Sequence, residues 1–224
     1  MKIKILSEHG YNEAMTGLSL SYNQAIENMP NVVNKLLKRE LNGGELKFLE
    51  FITVYLDVTA PRYFWQQIDT YNVGIRKQSE STMHTILKRG LVQSDFEEPI
   101  RVDILELLNS MIERKEFDNV KNHLPESFLQ RRIIVTNYKT LIHIIKQRKN
   151  HRLKVWTEFN NYLIENLEQK HIIDALVLQY GMTKFSKQEM EWIKEYFDLD
   201  DFVNYEYKHE NEKELLEFRK KLKC

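Results

Sequence analysis

The chain has 224 residues, 42% hydrophobic and 29% charged, and its 33 basic and 33 acidic side chains cancel to zero net charge. That is an ordinary globular composition, and a chain of this length buries about 70% of its unfolded surface without disulfide staples. It carries neither the basic excess of a nucleic-acid-binding protein nor an apolar run long enough to span a bilayer, so nucleic acid and membrane are not expected partners.

The single cysteine, Cys224, ends the chain. No intramolecular disulfide can form, which fits a reducing compartment. A thiol on a frayed terminus is a poor buried nucleophile. The N-terminal stretch MKIKILSEHGYNEA lacks the apolar run of a secretory signal, so a cytoplasmic location is expected. Seven glycines, four prolines and no linker or repeat lead to the expectation of one domain over 1–224.

In chain order, residues 2–6 alternate and read as a strand. Residues 11–28 carry Ala14, Leu18, Tyr22 and Ile26 at helical spacing, and 31–40 read as a second helix stopped by Asn42-Gly43-Gly44. Residues 49–59, β-branched and aromatic, read as a strand. Pro61 suits the first turn of an aromatic-rich helix over 61–73. Helices are expected at 81–89 and 99–115, and a strand at 131–136. Further helices are expected at 137–148, 152–167, 171–180, 186–197 and 209–222. The class is α+β: helix-rich, with a small, mostly antiparallel sheet.

Three features suggest chemistry. On the helix at 137–148, Leu141, Ile144 and Ile145 share one face with Asn137 and Arg148, while Lys139, His143 and Gln147 form an adjoining polar stripe. A guanidinium at the end of an apolar face must meet a ligand anion or carbonyl, cap the helix carbonyls, or pair with an acid such as Glu158. The run Ser79-Glu80-Ser81-Thr82-Met83-His84 reads either as phosphate donors or as a helix cap. The run Trp65-Gln66-Gln67-Ile68-Asp69-Thr70-Tyr71 reads either as a frame for a planar ring or as core with a wet edge. No dinucleotide-binding glycine motif, P-loop, zinc spacing or nucleophile elbow is present.

Taken in order, these segments resemble the flavin-dependent thymidylate synthases, particularly phage-type divergent relatives. The similarity runs over about 44–160 and is strongest at 124–158, where Leu124-Pro125 precedes Asn137, Lys139, Leu141, His143, Arg148, Trp156 and Glu158. The family signature R-H-R-x-x-S-x-N-E-x-S-x-R is altered: Thr70-Tyr71-Asn72 stands where Arg-His-Arg is expected. The resemblance implies a flavin site lined by Glu50, Tyr71, Asn137, Lys139 and His143. It implies a nucleotide site using Gln67, Ser79, Ser81, Lys121 and Arg148, with Arg148 as the catalytic cation. Arg62, Arg76 and Lys77 are the nearby candidates to replace the missing signature cations.

The implied cofactor is FAD, with NADPH and methylenetetrahydrofolate as co-substrates, and no metal is expected. The implied substrate is a dUMP-like pyrimidine nucleotide, acted on at C5. The implied assembly is a homotetramer, in host cytoplasm for a phage gene. No protein thiol nucleophile is needed in this chemistry, in contrast to conventional thymidylate synthases. Two other readings stay open: a nucleotide-binding relative without the reaction, and a helical interaction protein using the charged tail at 207–223.

Overall fold

The computed structural model describes residues 1–41 and 43–179. The helices expected at 186–197 and 209–222, the charged tail, Tyr180 and Asn42 lie outside the described residues.

The framework is a four-stranded antiparallel sheet in the order β1-β2-β4-β3, formed by β1 (Lys2–His9), β2 (Thr53–Pro61), β3 (Arg76–Ser79) and β4 (Leu129–Asn137). Alternation sets which face is buried. Along β2, Val54, Leu56, Val58 and Ala60 are fully buried, whereas Tyr55, Asp57 and Thr59 face the other way. The register puts Val54 opposite Thr136, Leu56 opposite Ile134 and Val58 opposite Arg132. The buried face is therefore apolar except on β4, where Arg132 and the buried Thr136 stand in line with Ile134.

The helices α1 (Tyr11–Tyr22), α2 (Met29–Leu36), α3 (Arg62–Ile68), α7 (Tyr138–Arg148), α8 (Lys154–Asn166) and α9 (Lys170–Gln179) close the main core over that face. A second cluster, containing Ile86, Phe96, Leu108, Met111 and Val120, lies under α4 (Thr82–Thr85), α5 (Val102–Glu113) and α6 (Phe117–His123).

Several boundaries differ from the sequence expectation, for identifiable reasons. The helix expected over 11–28 stops at Tyr22, because Asn23 turns left-handed with φ 49° and the chain re-enters as a 3-10 turn, Ile26–Asn28. The strand expected from 49 begins only at Thr53. Residues Gly44–Glu50 form 3-10 turns that bury Leu46, Phe48 and Leu49. Apolar density there fills the core without strand pairing.

The helix expected over 61–73 ends at Ile68, where Thr70 turns its backbone N–H and its hydroxyl back onto the Gln67 carbonyl. That expected at 81–89 is the single turn of α4. The helix expected over 99–115 is the single helix α5, Val102–Glu113, which ends before Lys115 at φ 56°; a separate helix, α6, starts at Phe117. Strand β3 carries no apolar alternation and forms through its backbone pairing with β4.

Gly10 joins β1 to α1 at φ 92°, and a Cβ there would stand 2.2 Å from the Phe51 carbonyl oxygen. Gly10→Ala is therefore expected to cost more than about 1–2 kcal/mol, the usual strain of a left-handed alanine, because the clash is with backbone that cannot rotate away. A urea denaturation midpoint equal to that of the wild type would contradict this packing.

Candidate functional site

Helix α7 positions the central group. Asn137 is its N-cap, in extended conformation, and its side-chain oxygen accepts the Thr140 N–H at 2.9 Å. Tyr138, Leu141, Ile142, Ile144 and Ile145 are buried, which rotates the last turn so that Arg148 emerges half-buried. Asn137 thus flanks the helix rather than lying on its face, and its oxygen is engaged in capping.

Arg148 neither caps carbonyls nor meets Glu158, which instead takes the N-terminal amine of Met1 at 3.4 Å. Its Nε–H donates to the Tyr71 hydroxyl at 2.9 Å. Its guanidinium lies 4.7 Å from the Trp156 ring centre and 5.6 Å from that of Tyr71. Among the described residues no carboxylate lies within ion-pair distance of it. Trp156, fully buried, donates its indole N–H to Gln67 Oε1 at 2.6 Å. Gln67 therefore supports Trp156 by its oxygen.

His143 stands edge-on to Tyr71, with ring centres 6.5 Å apart, and its Nε2 is 2.9 Å from Gln147 Nε2. Burial, and secondarily Lys146, lowers its pKa and favours the neutral ring. The ring nitrogen then accepts from the Gln147 amide. The fold thus brings together Gln67, Tyr71, His143, Arg148 and Trp156 from α3, the loop after it, α7 and α8. Lys139 and Glu50 form a separate ion pair at 2.7 Å, between α7 and the 3-10 segment Gly44–Glu50.

A third group gathers at the start of α4. Lys121 of α6 donates to the Thr82 hydroxyl at 2.7 Å. Burial lowers its pKa, and Arg62 nearby pushes the same way. Ser81 is the N-cap of α4 without a side-chain cap bond, and Ser79 is the exposed last residue of β3. The structure therefore places Lys121 beside the serine-rich run.

The candidate replacement cations are engaged locally. Arg62 donates to the Leu124 carbonyl at 2.7 Å, Arg76 to the Asn72 and Ile75 carbonyls at 3.3 and 3.0 Å, and Lys77 pairs with Asp69.

One cation escaped sequence reasoning. Arg132 lies 4.6 Å over the Trp65 ring and 3.6 Å from Asp69, and its Nε is buried without a partner among the described residues. Burial lowers its pKa, against the pull of Asp69. The available signal was parity: in RRIIVT, Arg132 shares the inward register of Ile134 and Thr136.

A groove of about 480 Å³ opens elsewhere, between α1, α2 and the 3-10 segment, lined by Ala14, Gly17, Leu18, Leu36 and Phe48, with Tyr22 and Phe51 also in its wall. Among the described residues there is no metal-holding cluster, and no helix is long and apolar enough to cross a membrane.

No protein-family model and no curated protein matches the chain. Solved structures do. A crystal structure of thymidylate synthase X (ThyX) from Helicobacter pylori with FAD and dUMP superimposes with a TM-score of 0.62 at 14% identity, over 79% of this chain and 99% of that one. A second structure of the H. pylori flavin-dependent enzyme, complexed with FAD and dUMP, gives 0.65 at 15% identity, over 79% and 100%.

The fold is that of the flavin-dependent thymidylate synthases. The ThyX likeness covers nearly the whole of the H. pylori chains, and at this identity it concerns the fold. It bears out the helix-rich α+β class with a small antiparallel sheet.

Proposed function

We propose that the chain binds a pyrimidine deoxynucleotide beside FAD and transfers a one-carbon unit to C5 of a dUMP-like substrate. The observation that carries this reading is Arg148, a half-buried guanidinium held between two aromatic rings, with no carboxylate opposite it among the described residues. Such a cation is expensive to desolvate unless an anion or carbonyl completes it. The dUMP bound by the structurally similar H. pylori protein is a ligand of suitable chemistry.

In this reading Arg148 holds the nucleotide and polarises its base. Lys121, with Ser79, Ser81 and the Thr82 hydroxyl, receives the phosphate. Lys121 suits that task because its ammonium already donates to the Thr82 hydroxyl, and a bound anion would offset the burial, and secondarily the Arg62 charge, that lower its pKa. Gln67 acts through Trp156.

The residues also fit a flavin. The groove beside the 3-10 segment joins an apolar floor to Tyr22 and Phe51, which are 44% and 54% exposed, with Lys47 in its wall. A concave groove with an apolar floor and aromatic walls suits a planar ring, while Glu45 stands in the same wall as Lys47. The same segment carries Glu50, paired with Lys139, and these two, with the N-cap Asn137 and His143 of α7, are the proposed flavin contacts beyond the groove lining. When bound, FAD supplies hydride and one-carbon transfer chemistry, with NADPH and methylenetetrahydrofolate as co-substrates. The protein positions the base and excludes water. The reading includes a homotetramer and a cytoplasmic location.

The test is direct. Purified protein is expected to be yellow, to release flavin on denaturation, and to gain thermal stability with dUMP. Absence of both flavin and a dUMP response would overturn the reading.

A second reading, nucleotide binding without the reaction, is favoured by one observation. Arg62, Arg76 and Lys77 are engaged by the chain itself, so the charge missing at Thr70-Tyr71-Asn72 is not restored by them. A colourless protein that dUMP still stabilises would select it.

A further inference from the structure

We infer that Tyr71 is a positioning residue that fixes the Arg148 guanidinium in one orientation, an inference that rests on the nucleotide reading above. The flexible side chain of an arginine must be immobilised before it can receive a ligand in one geometry, and that ordering costs entropy at the moment of binding unless it is already in place.

Here three of its aspects are fixed beforehand. The Nε–H edge is taken by the Tyr71 hydroxyl at 2.9 Å. One ring contact is Trp156 at 4.7 Å, and the other is Tyr71 itself at 5.6 Å. Trp156 is in turn held by Gln67 at 2.6 Å and packed against Phe64 and Phe159, with centroids 4.7 and 5.9 Å away. The two terminal amino groups, carrying four of the five guanidinium N–H donors, remain as the ligand-facing edge.

Tyr71 stands in the segment Thr70-Tyr71-Asn72, where the resembled signature has Arg-His-Arg. A cation at this distance would repel Arg148, whereas a neutral phenol both accepts its N–H and offers a ring face. The altered segment thus carries its own logic.

The test uses the full chain and dUMP. Tyr71→Phe keeps the ring and removes only the acceptor. It is expected to weaken dUMP binding about tenfold in calorimetric titration, the loss of one charge-assisted hydrogen bond's pre-organisation, with Tm lowered by only about 2–4 °C. Arg148→Lys retains charge but has no Nε–H, so adding Tyr71→Phe to it is expected to cost nothing further.

In parallel, the Arg148 Nε–H resonance is expected to exchange slowly in the wild type and fast in Tyr71→Phe. Equal dUMP affinity of Tyr71→Phe and wild type, or an undiminished loss in the Arg148→Lys background, overturns the positioning role and leaves the nucleotide reading standing. Failure of the wild type to bind dUMP overturns the nucleotide reading instead. The Nε–H exchange then decides the lock alone: slow exchange lost in Tyr71→Phe supports it, and equal exchange in both proteins overturns it.

Discussion

Arg148→Ala is expected to abolish the stabilisation of the protein by dUMP while leaving the unliganded fold intact. The guanidinium is half-buried and has no carboxylate partner among the described residues, so its removal strands no opposite charge. What the fold loses is one bond to a half-buried phenol and the stacking of a cation on two rings, each worth about 1 kcal/mol. What the ligand loses is larger: truncating one side of a charge-assisted contact costs about 2–5 kcal/mol. At a dUMP concentration of about a hundred times Kd the stabilisation is only about 2.7 kcal/mol, so a loss of that size removes most or all of it. Thermal denaturation with and without dUMP reads the difference, and an unchanged dUMP response in Arg148→Ala would remove the site proposed here.

Trp156→Ala is expected to have the largest effect on stability, about 3–5 kcal/mol, the range for truncating a fully buried large aromatic. Trp156 meets Phe64 at 4.7 Å, Phe159 at 5.9 Å and the Arg148 guanidinium at 4.7 Å, so one deletion opens the core and frees the cation together. Domains of this kind are stable by about 5–15 kcal/mol in all, so urea denaturation should show a clearly lowered midpoint. Trp156→Phe keeps most of the ring but leaves Gln67 Oε1 without its donor. It should cost about 1–3 kcal/mol, the penalty of an unsatisfied, partly buried acceptor. An alanine variant as stable as the phenylalanine variant would show that the indole is not packed as described.

The sequence made the frame and half of the site legible. The strand at 131–136 and the helix at 137–148 appear within two residues of β4 and α7, because alternation and the 3.6-residue period were both strong there. The apolar face of α7 singled out Arg148 by local physics alone. What completes the environment of that residue was out of reach. Tyr71 lies 77 residues from Arg148 in sequence, and Gln67 lies 89 from Trp156. No periodicity links positions so far apart, and only the closing of α3, α7 and α8 over the sheet brings them within 3 Å.

Strand β3 was invisible for a different reason. RKQS has no apolar face to read, and its conformation is imposed by the pairing groups of β4. Arg132 was legible in principle, since the parity of RRIIVT points it inward, but inward charge on a strand runs against the expectation that such residues face water.

The anchoring of α7 has a mechanical consequence. Its first residue, Tyr138, is fully buried; its hydroxyl donates to Glu8 on β1 and accepts the Gln169 N–H at 2.9 Å, while its backbone N–H bonds the Ile52 carbonyl at 3.0 Å. Arg148 sits at the other end of the same rod, ten residues and about 15 Å away. Over that length a tilt of about 4° swings the tip by about 1 Å, the scale of misplacement that can cost a catalyst about a hundredfold. The aim of the guanidinium is therefore set partly at its far pivot, by a phenol and a carboxylate remote from any ligand. The edge strand β1, which supplies that carboxylate, becomes part of the pointing mechanism rather than a mere border of the sheet.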